Sequence, residues 1–177
     1  VEQIAELFDE MALKKNIAYI VDLPENLMGW FDKDLVEKII FNLLSNAFKY
    51  TPEHGNVRLD VKIMERKGVK KLELNITNSG KGIPKEKLKK IFEKFYLLEQ
   101  DKEIGANMFR TGIGLAYTKK LVELLNGDIA VVSNPKKATT FQVGLPCDEK
   151  ERKRSNNVTR SFTISPHLKN MTVQGNM

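Results

Sequence analysis

The segment IIFNLLSNAFKYTP, residues 39–52, reads as a helix, yet it carries Asn42 and Asn46 one turn apart, followed by Lys49 and Tyr50. At ~100° per residue, Val36, Ile39, Ile40, Leu43, Leu44 and Ala47 share one broad face. Asn42, Asn46 and Lys49 form a narrow stripe on its shoulder, with Tyr50 close by. An amide oxygen is a hard, neutral ligand able to hold Mg²⁺ beside phosphates. A lysine one turn further on adds a point charge for phosphate oxygens. Alone, the stripe reads as polar helix surface satisfied by water. Glycine loops elsewhere change that weighing. NSGKGIP places Gly80 and Gly82 just after an expected strand, where backbone must approach something closely. TGIGLA places Gly112 and Gly114 at a helix start, where free N–H groups and the helix dipole favour an anion. Neither loop is a GxxxxGK[ST] or GxGxxG motif. The stripe and both loops together make a coherent site for a nucleotide and Mg²⁺.

The elements that must position these residues are readable from period and punctuation. Residues 1–15 place Val1, Ile4, Leu7, Phe8 and Met11 at helical spacing, and NIAYIVDLP reads as a strand. Asp32 can cap a long helix through about Lys49, with Pro52 just beyond its end. NVRLDVKIME and VKKLELNIT alternate like strands around RKG and read as a hairpin. Pro84 opens a short charged helix, PKEKLKKIFEKFY, and residues 97–110 lack a clear period and read as a mobile loop. TGIGLAYTKKLVELLNG is a helix closed by Gly127, and DIAVVS and TTFQVGLP form a last hairpin around NPKK. Helices mixed with antiparallel hairpins indicate the α+β class, one sheet with helices on one face. Residues 16–146 form the domain and 147–177 a polar linker or disordered tail.

Composition excludes some classes. The net charge is +6, and half of it falls from Cys147 onward, so the body is too weakly charged for a nucleic-acid footprint. The hydrophobic content of 41% is that of a globular protein, and no apolar run approaches the ~18 residues a membrane helix needs. The single Cys147 rules out an internal disulfide, weakly fits a reducing compartment, and suits packing better than catalysis.

The ordered series NLLSNAFKYTP, NSGKGIP, IFEKFY, TGIGLA and ATTF resembles the catalytic ATP-binding domain of sensor histidine kinases, relatives of the gyrase, MutL-type and heat-shock-chaperone ATPases. The resemblance implies a two-layer α/β sandwich of the Bergerat type, a mixed sheet of about five strands backed by three helices. It implies that Asn46 ligates Mg²⁺ with Asn42 assisting, that Lys49 meets phosphate, and that Tyr50 lines the nucleotide site. Asn78, Gly80, Gly82 and Ile83 would form the adenine-side loop, and Phe92 and Phe95 would flank a lid. Gly112 and Gly114 would cradle phosphates within a segment that also brings Arg110, Thr111, Ile113 and Leu115 to the nucleotide. Thr140 would sit at the adenine pocket, and Tyr96, Phe92 and Phe95 could equally be core. The chain departs from the family at Asn78, where Asp is usual, and at Arg110 and Ala138, where Gly is usual.

In hydrolysing relatives a Glu one turn before the Mg²⁺-ligating Asn activates water. Here that position is Asn42, whose amide has no usable basicity. The resemblance therefore implies transfer of the ATP γ-phosphoryl group to a histidine on a dimerisation domain. It would count Asn42, Asn46 and Lys49 as the catalytic group, and it opposes the ATP-hydrolysing and anti-sigma relatives. A degenerate interaction module is the remaining alternative. His54 in a turn and His167 in the tail do not lie on an acceptor helix. Residues 1–15 thus read as the end of the second dimerisation helix of a longer, homodimeric parent. That parent would be bacterial and membrane-anchored, with this domain cytoplasmic, and its partner would be a response-regulator receiver domain.

Overall fold

A computed structural model describes residues 2–24, 26–66, 68–96, 112–135, 137–148, 158–163 and 171–173. The expected N-terminal helix is broken into α1 (Glu2–Leu7) and α2 (Asp9–Lys14). The break follows from Phe8, which is buried, stacks on Phe48 at 5.1 Å and meets Phe41 at 5.7 Å. Its N–H takes the tighter bond to the Ala5 carbonyl, 3.1 Å, so the ring's anchorage distorts the helix there.

Strand β1 (Ala18–Asp22) and strand β2 (Asn26–Asp32) precede α3 (Lys33–Tyr50). Asp32 caps α3 as expected: its carboxylate accepts the Leu35 N–H at 3.0 Å. The hairpin of β3 (Asn56–Arg66) and β4 (Val69–Ser79) follows, and later α4 (Gly114–Leu124) leads into the hairpin of β5 (Asp128–Asn134) and β6 (Ala138–Pro146). The principal sheet has the order β5-β6-β4-β3-β1, with β1 and β3 parallel and the other pairs antiparallel. This is the mixed sheet of about five strands that the sequence predicts.

Other details differ from expectation. The segment 147–177, expected as linker, contributes β7 (Val158–Thr163), which pairs with β2, and β8 (Met171–Val173), which extends the sheet beyond β1. The expected third helix resolves into 3₁₀ turns at Lys85–Lys87 and Lys90–Phe92. Like charges at i,i+4, Lys85 with Lys89 and Lys90 with Lys94, work against a continuous α-helix. Burial of Ile91 and the edge contact of Phe92 with Phe141 then set the local path.

The core lies between the sheet and α3. Cross-strand rows of buried side chains run over one sheet face: Val21, Leu59, Ile76 and Phe141 in one row, Val61, Leu74 and Val143 in the next. The row on the other side of the first begins with apolar packing at Tyr19 and Val57 but ends in Asn78 and Thr139, all of them buried. Cys147 is buried against Gly29, and burial pushes its thiol up to about 11, in keeping with a packing role. Among the described residues no helix is long and apolar enough to cross a membrane. Because the cap is one hydrogen bond at the root of α3, Asp32→Ala should lower the unfolding free energy by about 0.5–2 kcal/mol. Urea denaturation should show the midpoint falling with an unchanged slope.

Candidate functional site

Helix α3 turns Val36, Ile39, Ile40, Leu43, Leu44, Ala47 and Phe48 into the core. That rotation leaves Asn42, Asn46, Lys49 and Tyr50 half-buried at the helix shoulder. At the end of the helix the Lys49 ammonium donates to the Tyr50 hydroxyl at 3.0 Å and stands 4.6 Å from the ring centroid. The pair is therefore one unit, a cation held over the tyrosine ring and by its hydroxyl.

The NSGKGIP loop is pressed against this unit. A Cβ at Gly80 would lie 2.7 Å from the Tyr50 carbonyl oxygen, so only glycine lets the loop pass the end of α3. Asn78 is 6% exposed and its amide donates to the Ser79 carbonyl at 3.1 Å. Gly82 rests on the β5–β6 turn at Pro135, and the Ile83 N–H donates to the Ser133 hydroxyl at 2.8 Å. Ile83 itself is buried.

Thr140 is not brought to Asn78. Its hydroxyl pairs with that of Thr77 at 3.0 Å, and strand alternation puts both on the opposite face of the sheet. The neighbouring Thr139 is buried, is the cross-strand partner of Asn78, and shares a 2.8 Å hydroxyl contact with Ser133. Alternation with the apolar Phe141 and Val143 was the signal that selects Thr139.

The second glycine loop meets the phenylalanine motif. The Phe95 N–H donates to the Gly112 carbonyl at 3.0 Å, both residues having positive φ. A Cβ on Gly112 would lie 2.8 Å from the Phe95 carbonyl carbon, so this junction too requires glycine. Phe95 is 72% exposed, whereas Phe92 and Tyr96 are half-buried against the core. Arg110, Thr111 and the expected loop 97–110 lie outside the described residues. Gly114 opens α4 with free space where a Cβ would point, Ile113 beside it is exposed, and Leu115 packs on the core.

Asn42 and Gly114 line one open groove of about 680 Å³, walled by Phe41, Ile113 and Tyr117. The groove thus joins the amide stripe to the second glycine loop. Its carboxylates, Asp34 and Glu37, belong to the far end of α3, Glu37 lying 3.7 Å from Lys33. No cluster of three or more His, Cys, Asp or Glu suited to a metal occurs among the described residues. Amide oxygens without carboxylates do not hold a resident divalent ion, but they fit Mg²⁺ arriving with phosphate oxygens and water as its other ligands.

A two-layer sandwich with amide and lysine groups on the helix shoulder, facing glycine loops, defines a nucleotide-binding ATPase-type domain. Residues 31–149 match the family described as histidine kinase-, DNA gyrase B-, and HSP90-like ATPase, and the chain belongs to that family. It is 36% identical over 167 residues to the sensor histidine kinase TmoS of Ectopseudomonas mendocina, covering 94% of this chain and 17% of that protein. It is 34% identical over 146 residues to the adaptive-response sensory kinase SasA of Synechocystis, covering 82% and 36%. The sensor histidine kinase WalK of Bacillus subtilis is 34% identical over 143 residues, covering 80% and 23%. The chain thus spans between 17% and 36% of the length of these relatives. Among solved structures, the catalytic domain of histidine kinase ThkA superposes with a TM-score of 0.70 at 26% identity, over 85% of this chain and 91% of that one. Full-length ShkA in complex with AMPPNP gives 0.64 at 27%, over 82% and 29%.

The contrast between the glycines is testable. Gly80→Ala should lose roughly 1–3 kcal/mol of stability by forcing backbone apart. Gly114→Ala should stay within about 0.5 kcal/mol. Parallel urea titrations of both variants check this.

Proposed function

We propose that this chain is the ATP-binding catalytic domain of a sensor histidine kinase, delivering the ATP γ-phosphoryl group to a histidine on a dimerisation domain. The family supports use of ATP. The observation that carries phosphoryl transfer over hydrolysis is Asn42 beside Asn46. The nearest groove carboxylate on the same helix, Glu37, is nine residues from Asn46, about 13 Å along the axis. A water attacking phosphate next to Asn46 therefore finds no general base on this stripe.

In this reading Asn46 offers its amide oxygen to Mg²⁺ and Asn42 assists. Mg²⁺ would neutralise phosphate charge and align the phosphoryl group. Lys49 adds a cation, held in place by Tyr50. Gly112 and Gly114 bring backbone N–H groups to the phosphates. Asn78 accepts the adenine amine with Thr139 beside it. Thr140, by its pairing with Thr77, supports the strand rather than the base. The names of the curated relatives, sensor and sensory kinases, support the kinase context. In this reading the parent is a homodimeric, membrane-anchored bacterial protein that passes the phosphoryl group to a response-regulator receiver domain, with this domain in the cytoplasm.

Calorimetry with ATP and Mg²⁺ tests the reading. The wild type should bind ATP more tightly with Mg²⁺ than without, and steady hydrolysis should stay near the background of a site-dead control. Asn46→Ala should remove the Mg²⁺-dependent part of the affinity and leave the circular dichroism spectrum intact, since the amide sits at the edge of the core. Unchanged affinity in Mg²⁺ would show that Asn46 is not a ligand. Absence of any nucleotide binding would favour the interaction-module alternative.

A second expectation concerns the base. A charged acceptor forms hydrogen bonds of ~1.5–3 kcal/mol against ~0.5–1.5 for a neutral one. Asn78→Asp should therefore tighten ADP binding and widen the gap between ADP and GDP. Weaker ADP binding by the variant would mean that the pocket is built around the amide.

A further inference from the structure

We propose that Lys15 is a positioning residue for the nucleotide site, tying the N-terminal helices to the end of α3 that carries Lys49 and Tyr50. This rests on the nucleotide-binding reading above. Lys15 follows α2 and is half-buried. Its ammonium donates to the Phe48 carbonyl at 2.9 Å, across 33 residues of sequence. Its own carbonyl accepts the His54 N–H at 3.3 Å, so the residue is held on both sides of the turn that ends α3.

The chemistry of a helix end explains why this contact matters. The last carbonyls of an α-helix have no partner within it, and they carry the negative end of the helix dipole. In α3, Thr51 returns to the Ala47 carbonyl through both its N–H, 3.0 Å, and its hydroxyl, 2.6 Å. The next carbonyl, that of Phe48, is met by a full positive charge from another element. The Phe48 ring is gripped by the same region, stacked on Phe8 at 5.1 Å and met edge-on by Tyr19 at 5.1 Å. Phe48 is therefore fixed by ring and by carbonyl from outside α3.

The residues immediately after it are the Lys49–Tyr50 unit, and the Tyr50 carbonyl is the atom against which Gly80 is seated. A last turn that loosens moves the ammonium, the tyrosine ring and the glycine loop together. Among the described residues no hydrogen bond or ion pair joins Lys15 to a group proposed to meet nucleotide, and it acts by holding the turn that carries Lys49 and Tyr50. A displacement of α2 away from α3 would thus reach the nucleotide site through this hydrogen bond together with the Phe8–Phe48 stack.

Lys15→Met keeps the aliphatic stem and removes the donor, Lys15→Gln is a second removal with a polar tip, and Lys15→Arg keeps the charge. Hydrogen exchange over residues 44–51 should accelerate in the Met and Gln variants and return towards the wild-type rate in the Arg variant. Affinity for a non-hydrolysable ATP analogue with Mg²⁺ should fall by roughly three- to tenfold in the removals, the scale of a partly transmitted charged hydrogen bond, and recover with arginine. Ile63→Ala, on the distal half of β3, supplies a destabilised control that should retain wild-type affinity. Met and Gln variants that bind the analogue like wild type, or that leave exchange over 44–51 unchanged, would overturn the proposal. A wild type that binds no nucleotide at all would instead defeat the functional reading beneath it.

Discussion

Burial of one face of α3 settles how that helix is rotated, and the site follows from the rotation. Seven side chains from Val36 to Phe48 enter the core. All but Ala47 contribute on the order of 1.5–3 kcal/mol each on full burial. The polar contacts made by the shoulder residues are worth roughly 0.5–1.5 kcal/mol each. Packing therefore decides the orientation, and Asn42, Asn46 and Lys49 are carried to the rim of the core as a consequence. A ligand finds these groups already aimed, because turning them away would withdraw several apolar side chains at once.

The sheet imposes the matching constraint from below. Its period of two makes Leu72, Leu74 and Ile76 the apolar part of a row that ends in Asn78. The same period in β6 delivers Thr139 opposite Asn78 and sends Thr140 to the other face. Polar groups at the end of an apolar row lie where the helix layer stops and the glycine loops begin. They are buried enough to read a ligand's hydrogen bonds against little competing water. Leaving such groups unmatched costs about 1–3 kcal/mol apiece, which on the proposed reading would be the basis for discrimination between bases.

Much of this was legible in the residues because local signals and global packing agree there. The α3 stripe, the Asp32 cap and the hairpins needed only helical period, cap chemistry and alternation. The misreadings arose where tertiary contacts override local pattern. Helical spacing in residues 1–15 is sound, but the Phe8 ring is drawn between Phe41 and Phe48, and the helix tightens at that residue. The lysine-rich segment after Pro84 has helical composition, yet its path is set by Ile91 and by Phe92 against Phe141, partners far away in sequence. Thr140 was expected from its motif, whereas the strand register sets Thr139 opposite Asn78. Strands β7 and β8 gave no clear period, and their pairing with β2 and β1 depends on edges that only the assembled sheet presents.

The arrangement of contacts around Phe48 bears on how such a domain could respond to what lies beside it. The sheet and α3 share a large buried surface and move as one body. The N-terminal helices bury Ile4, Ala5, Phe8 and Ala12 in the same core, and add polar contacts through the Lys15 ammonium and the turn at His54. A close-packed apolar interface resists partial displacement, so a shift of these helices is passed on to the body they pack against. The Phe8 and Lys15 contacts converge on the one turn of α3 that continues into Lys49 and Tyr50, while the opposite end of the helix is anchored separately by Asp32. On the proposed reading, a change in the N-terminal helices would reach the nucleotide end of α3 through the contacts at Phe48.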